Sequence, residues 1–461
     1  MQGRIIAVLR GQLCAGAWSL STAILSASGW RVVGCCVEAR HALRPWCDRG
    51  CWASGSMLTI HTRSQSMDIA MVGAGIGGLT AAACLLRDGH RVRIYEQARH
   101  VGEIGAAVQM SANAVKVLYH LGLKDRLEAQ AVKPSAFEFR RFDSGELLHE
   151  IKLGEDHAQR HGHPYYQIHR VDLHAALLEV VEQLDPQALQ LGYRAIEVQE
   201  DEHSASIVFE DGRQVRANLV VGSDGIKSVV RKHVVDADPP VFTGQVAWRL
   251  AIPIERIAPE LRPPMVSSIW CGPNNHAVMY YMRAGQVLNF VGCVERPWEE
   301  ESWTSRQPWE ELDQDYAGWH PIVRAAIDNV DRDQCFRWAL NNRKPVMNWC
   351  TDRVALLGDA VHPTLPYMAQ GAAMAIEDAA VLSRALALDM PMAQALQVFQ
   401  NHRAPRAARV VRESTEMGDL YHIADAQQMK QAFKDRNIAA SRNNWLYPYD
   451  PMNVDLMSQA G

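Results

Sequence analysis

Asp68–Val72 is a short apolar run, and Gly73-x-Gly75-x-x-Gly78 follows it directly. Residues 79–87, rich in Ala and Leu, read as a helix that Gly89 stops, and Arg91–Glu96 alternates as a second strand. A glycine-rich turn between a strand and a helix, with an acid closing the next strand, is built to receive a dinucleotide. Gly73 permits the tight turn, Gly75 lets the backbone approach a pyrophosphate, and Gly78 lets helix and strand pack closely. Ile76 opens a helix whose free N–H groups and positive dipole end suit phosphate oxygens. Glu96 can accept hydrogen bonds from ribose hydroxyls, and its charge disfavours a 2′-phosphate at this position.

Two later segments have the same strand-to-turn character. Leu219-Val220-Val221-Gly222-Ser223-Asp224-Gly225 runs from a buried-type strand into a turn, and Val354-Ala355-Leu356-Leu357-Gly358-Asp359-Ala360 does so again. After the second come His362-Pro363, Pro366 and Gln370-Gly371, then a long helix over 372–388 carrying Glu377-Asp378. A glycine at that helix start offers backbone N–H groups to a ligand. No second fingerprint occurs, so a second resident dinucleotide domain is not expected.

The 461 residues, 48% of them hydrophobic, allow two or three domains around a large core, and the formal charge is −5. No basic stretch interleaved with aromatics points to nucleic acid. The uncharged run 11–30 is long enough to span a membrane but is diluted by Ser, Gly, Thr and Gln. Residues 1–66 differ from the rest: five of ten cysteines, four of thirteen tryptophans, and seven Arg against Glu38 and Asp48. They resemble a signal peptide loosely, with Arg10 interrupting it. Cys47-x-x-x-Cys51 lacks the second pair that a metal site needs, so no metal is expected. The reading adopted is upstream sequence translated in frame, with Met67 or Met57 as the natural start. The scattered Cys84, Cys271, Cys293, Cys335 and Cys350 suit a reducing compartment, so a cytoplasmic location is expected.

Taken together, the three glycine-containing segments resemble the single-component FAD-dependent aromatic hydroxylases, the group that includes p-hydroxybenzoate hydroxylase. The likeness covers nearly everything from Met67 onward. It extends to Ile168-His169-Arg170-x-Asp172-Leu173-His174, Ala247-Trp248-Arg249, the run from Met368 to Ala379, and Asn444-Trp445-Leu446-Tyr447-x-Tyr449. Within the group it is nearest to salicylate hydroxylase, 6-hydroxynicotinate 3-monooxygenase and 3-hydroxybenzoate 6-hydroxylase. The resemblance implies that Glu96 binds the adenosine ribose and Arg170 meets the flavin side of the cofactor. Asp224 would lie near the pyrophosphate and the passing nicotinamide nucleotide, Asp359 would hold the ribityl chain, and Gly371 and Ala372 would face the flavin pyrimidine edge. From the residues alone, Arg170 could equally be a surface charge at a helix start, and Asp224 a turn or N-cap residue.

Such chemistry draws electrons from NADH or NADPH as a transient co-substrate and transfers oxygen from a flavin C(4a)-hydroperoxide. The protein's share is to orient the ring, exclude water and manage a substrate proton. His276-Ala277-Val278-Met279-Tyr280 alternates as a strand, which places His276, Val278 and Tyr280 on one face. The resemblance makes Tyr280 and His276 the pair that binds a phenol. Pro366, Tyr367 and Met368 would cover the reactive flavin edge, Gln109 would sit against the ring, and Arg249 or Arg283 would pair a substrate carboxylate. One 3-hydroxybenzoate 6-hydroxylase pattern has Gln where this chain has Pro366. The family loop Gly-Ala-Gly followed by Pro-Asn is also altered: Ala107 stands at the second Gly and Ala112 at the Pro. A positive φ at Ala107 would cost about 1 kcal/mol and loosen the flavin loop.

The expected architecture is α/β: a Rossmann-type FAD-binding domain, an inserted mostly antiparallel substrate sheet, and a helical C-terminal tail. The flavin domain takes 67–133, 165–237 and 336–417, the substrate domain takes 134–164 and 238–335, and the tail takes 418–461, after a leader over 1–66. The expected activity is hydroxylation of a small aromatic or pyridine carboxylic acid, led by salicylate-like substrates, with 6-hydroxynicotinate or 3-hydroxybenzoate as alternatives. The expected partners are that acid, O2 and NAD(P)H, and a homodimer is compatible with the sequence. A flavin-binding sensor without turnover is the rival, with Ala107 and Ala112 in its favour.

Overall fold

In the computed structural model, the residues described are 66–102, 107–235, 239–298 and 305–458, with three strands before them. The chain divides into Met1–His61 and Thr62–Gly461. In the first unit, Ile6–Arg10, Leu20–Ser26 and Gly29–Val32 pair antiparallel. Cys47, Cys51 and Met57, which figure in the sequence analysis, lie outside the described residues.

The second unit is organised around a five-stranded parallel sheet in the order Leu189–Leu191, Arg91–Glu96, Asp68–Val72, Leu219–Gly222, Val354–Leu356. Helices cover it, so its central strands are buried on both faces and read as continuous apolar runs. Helix Ile76–Arg87 starts one residue after Gly75, its N-cap. It packs tightly against helix Gly371–Leu386: a Cβ at Gly77 would sit 3.0 Å from Cβ of Ala375. All five strands run in one direction, so Gly73, Ser223, Glu96 and Gly358 gather at the carboxyl edge of the sheet, where ligands of such folds bind.

A seven-stranded sheet lies in the order Phe336–Asn342, Val241–Pro253, Val287–Glu295, Asn275–Met282, Ser267–Gly272, Ala136–Arg141, Leu147–Lys152. Every pair is antiparallel except Ser267–Gly272 with Ala136–Arg141. The strand Phe336–Asn342, assigned from sequence to the third flavin segment, is an edge of this sheet. Its register with Val241–Pro253 places Trp338 beside Ala247. One face packs on Trp248, Met279, Phe290, Tyr316 and Trp319. The opposite face carries a row of Ala247, Cys293 and His276, and next to it a row of Arg249, Val291 and Val278.

The C-terminal part is helical, but no break falls at 418, because Met392–Tyr421 is a single helix with Pro405 inside it. Gly418 lies under the Tyr367 ring, where a Cβ would come within 2.7 Å. Helix Ala426–Arg436 and a π-helical turn at Arg442–Leu446 follow.

Candidate active site

The fingerprint glycines divide their work by geometry. Gly73 has φ +98°, and a Cβ there would lie 2.6 Å from the Ser223 carbonyl oxygen. A Cβ at Gly78 would lie 2.3 Å from the Gly73 carbonyl oxygen, so helix and turn touch backbone to backbone. At Gly75 a Cβ would meet nothing within 4 Å, which leaves open space over the turn for a ligand. Glu96 accepts from the Ala74 N–H through Oε2 and from the Ala98 N–H through Oε1, both at 2.9 Å. It braces the turn and also lines a hollow of about 470 Å³ with Gly73, His100, Tyr193 and Asp224. His174, in a stretch matched from sequence without a role, reaches the Ala74 carbonyl through Nε2 at 2.7 Å.

Asp224 borders that hollow, but its carboxylate accepts from Ser228 Oγ at 2.5 Å and from the Val229 N–H at 2.7 Å. This is the turn-capping role that the sequence left open. Burial raises its pKa, against the opposing hydrogen bond from Ser228.

A second hollow of about 360 Å³ shares Gly75, Ser223 and Gly225 with the first, so the two adjoin at the sheet edge. It brings together Gly75, Ile76, Arg170, Asp359, Gly371 and Ala372. Arg170 is the first residue of helix Arg170–Leu184. The Asp359 side chain opens onto the hollow but is enclosed by the fold around it, and burial raises its pKa while His362 and Arg170 oppose the rise. Gly371 starts a 16-residue helix, so its first N–H groups face the hollow without helical acceptors.

A buried ion network behind this wall was not read from sequence. Asp378 accepts from the Gly358 N–H at 2.9 Å, from His362 at 2.5 Å and from Arg403 Nε at 2.7 Å. Glu377 pairs with Arg403 at 2.6 Å and Arg406 at 2.8 Å, and it accepts from Asn113 at 2.5 Å. Burial pushes the Asp378 carboxyl up, but the charges of His362 and Arg403 outweigh it and hold it down to about 2. The Glu377-Asp378 dipeptide was the available signal, since two adjacent acids in an apolar helix need buried cations.

The wall opposite the helix start is the seven-stranded sheet. His276, Val278, Tyr280, Val291, Cys293 and Trp338 line the 360 Å³ hollow from that side, and Pro366, Tyr367 and Gln109 complete it. The Tyr280 hydroxyl donates to the Ala107 carbonyl at 3.0 Å, and burial raises its pKa while Arg249 opposes the rise. Four residues of strand separate Tyr280 from His276, about 13 Å along the chain. His276 is fully buried, and burial, reinforced by His422, sets its pKa well below the ordinary value. Its Nδ1 lies 2.8 Å from His422 Nε2. His422 follows the long C-terminal helix and carried no sequence signal.

Other expected contacts fall elsewhere. Arg249 stacks on Trp338 at 4.3 Å and does not line the hollow. Arg283 bonds Asp172 at 3.3 Å near the surface. Met368 turns away to border a separate hollow with Met417 and Arg442. Tyr165 and Ser267 hydroxyls donate to Gln109 Oε1 at 3.2 and 3.3 Å, which fixes its amide. Ala107 pairs with His169 in a short two-stranded ladder, and its φ is not in the left-handed region. The strain expected there is absent, because the residue takes extended backbone that any side chain adopts. Ala112 starts the helix Ala112–His120 and is fully buried.

The donor set fits FAD: an acid and an open glycine turn at one end, Asp359 midway, and a helix start facing a ring-sized hollow at the other. Among described residues, no helix is long and apolar enough to cross a membrane. A family model described as an FAD binding domain matches residues 66–414. The chain is 36% identical over 400 residues to 3-amino-4-hydroxybenzoate 2-monooxygenase PtmB3 of Streptomyces platensis, covering 86% of this chain and 99% of that one. It is 37% identical over 366 residues to 3-hydroxybenzoate 6-hydroxylase of Polaromonas naphthalenivorans, covering 79% and 90%. The crystal structure of Klebsiella pneumoniae HpxO with FAD and uric acid superposes with a TM-score of 0.73 at 26% identity, covering 82% of this chain and 94% of that one. The chain belongs to the FAD binding domain family, and within it to the FAD-dependent monooxygenases.

Proposed function

We propose that the protein hydroxylates a small aromatic acid bearing a ring hydroxyl, using NAD(P)H and O2. One observation carries this reading: a single hollow joins the Asp359–Gly371 wall to a sheet face bearing His276, Val278 and Tyr280. FAD, when bound, would take electrons from NAD(P)H, pass them to O2 and deliver one of its oxygen atoms in electrophilic form. Glu96 would hold the adenosine end, Asp359 the ribityl chain, and the N–H groups at Gly371 and Ala372 the ring edge. Val278, Val291 and Trp338 give the substrate ring an apolar floor, with Pro366 and Tyr367 above it, which keeps water from the reacting carbon. His276, neutral at working pH, takes the proton of the substrate hydroxyl through Nε2, and the oxyanion enriches the ring in electrons. Tyr280 marks the far end of the ring.

Hydroxybenzoates fit this arrangement because they offer one hydroxyl to His276 and have the length to reach Tyr280. The five described cysteines are buried and unpaired, which supports a cytoplasmic setting. The test is a panel of salicylate, 3-hydroxybenzoate, 3-amino-4-hydroxybenzoate and 6-hydroxynicotinate, read by NADH or NADPH loss and product mass. One of them should accelerate oxidation and gain a single oxygen. A flavin-loaded protein that none stimulates would favour the sensor reading, which no longer has strain at Ala107 to support it.

A further inference from the structure

We propose that His276, His422 and Glu295 form a proton relay from the ring-binding hollow to the protein surface. It rests on the reading above, in which His276 meets a substrate hydroxyl. Glu295 ends a strand of the seven-stranded sheet, and its side chain is 43% exposed, against 7% for His422. His422 Nδ1 lies 2.5 Å from Glu295 Oε1, and His422 Nε2 lies 2.8 Å from His276 Nδ1. An ionised carboxylate only accepts, so His422 Nδ1 carries hydrogen. Neutral His422 then has its lone pair on Nε2 and accepts from the His276 Nδ1–H. That leaves the lone pair of neutral His276 on Nε2, a buried nitrogen with no hydrogen-bond partner. The surface carboxylate therefore dictates the tautomer at the hollow, two rings away.

Among the described residues, the other groups packed around His276 are phenols and thiols. Tyr367 and Tyr421 stand edge-on to His276 at 4.9 and 5.1 Å, and the Tyr316 hydroxyl donates to its carbonyl. Cys271 and Cys293 flank it in the sheet register. Burial raises the pKa of each of these phenols and thiols, which keeps them protonated. Asp419 is the other acid acting on His422. His422 also caps the end of helix Met392–Tyr421, whose terminal carbonyls favour a passing positive charge.

The transfer balances. The substrate hydroxyl loses its proton to His276 Nε2, the His276 Nδ1–H bond breaks as His422 Nε2 gains hydrogen, and the His422 Nδ1–H bond breaks as Glu295 gains it. Both rings end neutral with inverted tautomers, the substrate is left as phenolate, and Glu295 exchanges its proton with water. Reprotonating the product along the same path restores both tautomers. One outward and one inward passage per turnover thus require no ring flip.

The test uses the flavin-loaded protein and 3-hydroxy-4-nitrobenzoate, whose phenolate absorbs visible light. After a rapid pH jump, the ionisation of the bound probe is followed in wild type, His422→Ala and Glu295→Gln. His422→Ala should slow the relaxation about tenfold or more, and imidazole added to the buffer should restore it. Probe affinity should stay within about threefold, a change of less than 1 kcal/mol. Glu295→Gln, at an exposed position, should slow relaxation without loss of flavin and serves if His422→Ala does not fold. Wild-type relaxation in both variants would overturn the relay and leave the role of His276 intact. Failure of the wild type to bind or ionise the probe would overturn the reading of the hollow and the relay together.

Discussion

Arg403 braces the Gly358–Asp359 turn from behind through Asp378, and its removal should cost stability. The side chain is fully buried between Glu377 and Asp378, which are also fully buried. Depression of the Asp378 carboxyl from an ordinary 3.8 to about 2 corresponds to roughly 2 kcal/mol of stability at neutral pH. Breaking a buried pair from one side leaves a charge uncompensated and typically costs about 3–5 kcal/mol. Here Asp378 keeps His362 and the Gly358 N–H, and Glu377 keeps Arg406. The lower end applies, so Arg403→Met should lose about 3 kcal/mol at pH 7. Urea unfolding of the wild type and the variant measures it.

The pH dependence has a definite sign. A carboxyl with a depressed folded pKa stabilises above its unfolded value near 3.8 and loses that contribution as pH falls toward 2. Arg403→Met loses the Arg403 share of this depression while His362 still lowers the carboxyl, so its deficit should shrink as the pH drops below about 4. Asp378→Asn added to Arg403→Met should recover part of the loss, because it removes the orphaned charge. An Arg403→Met protein within about 1 kcal/mol of wild type at pH 7 would refute the reasoning, since a buried cation between two buried acids cannot be neutral to remove.

Two further outcomes follow from the site. Asp359→Ala should purify with little flavin, read as the visible-to-ultraviolet absorbance ratio, and stoichiometric yellow protein would remove Asp359 from cofactor binding. Tyr280→Phe should keep FAD, because the lost hydrogen bond to Ala107 is a single neutral one of about 1 kcal/mol. It should, however, divert NAD(P)H oxidation toward hydrogen peroxide, and unchanged coupling would show that Tyr280 only packs.

The parallel sheet and its cofactor edge were legible because each carries a local signal. A glycine turn must follow a strand and open a helix, and Asp68–Val72, Ile76–Arg87 and Arg91–Glu96 do this within thirty residues. Gly358–Asp359 and Gly371 were legible for the same reason. The strand Phe336–Asn342 was misplaced because sheet membership is decided by a partner almost a hundred residues earlier. No local pattern tells an edge strand which sheet it joins. Arg403 and Arg406 were invisible for a related reason: on a long helix a buried Arg looks like a solvated one until its acids are placed beside it.

At the substrate end, period two put His276 and Tyr280 on one face, and the hollow confirms that shared face. Alternation says nothing about distance, however, and four residue steps set the two positions about 13 Å apart along the strand. The imidazole and the phenol have separate partners. The phenol finds the Ala107 carbonyl at the start of a short strand. The imidazole finds His422 from the far end of the chain, and through it Glu295. The strand thus ties Tyr280 to the Ala107 backbone and His276, through His422, to the exposed Glu295.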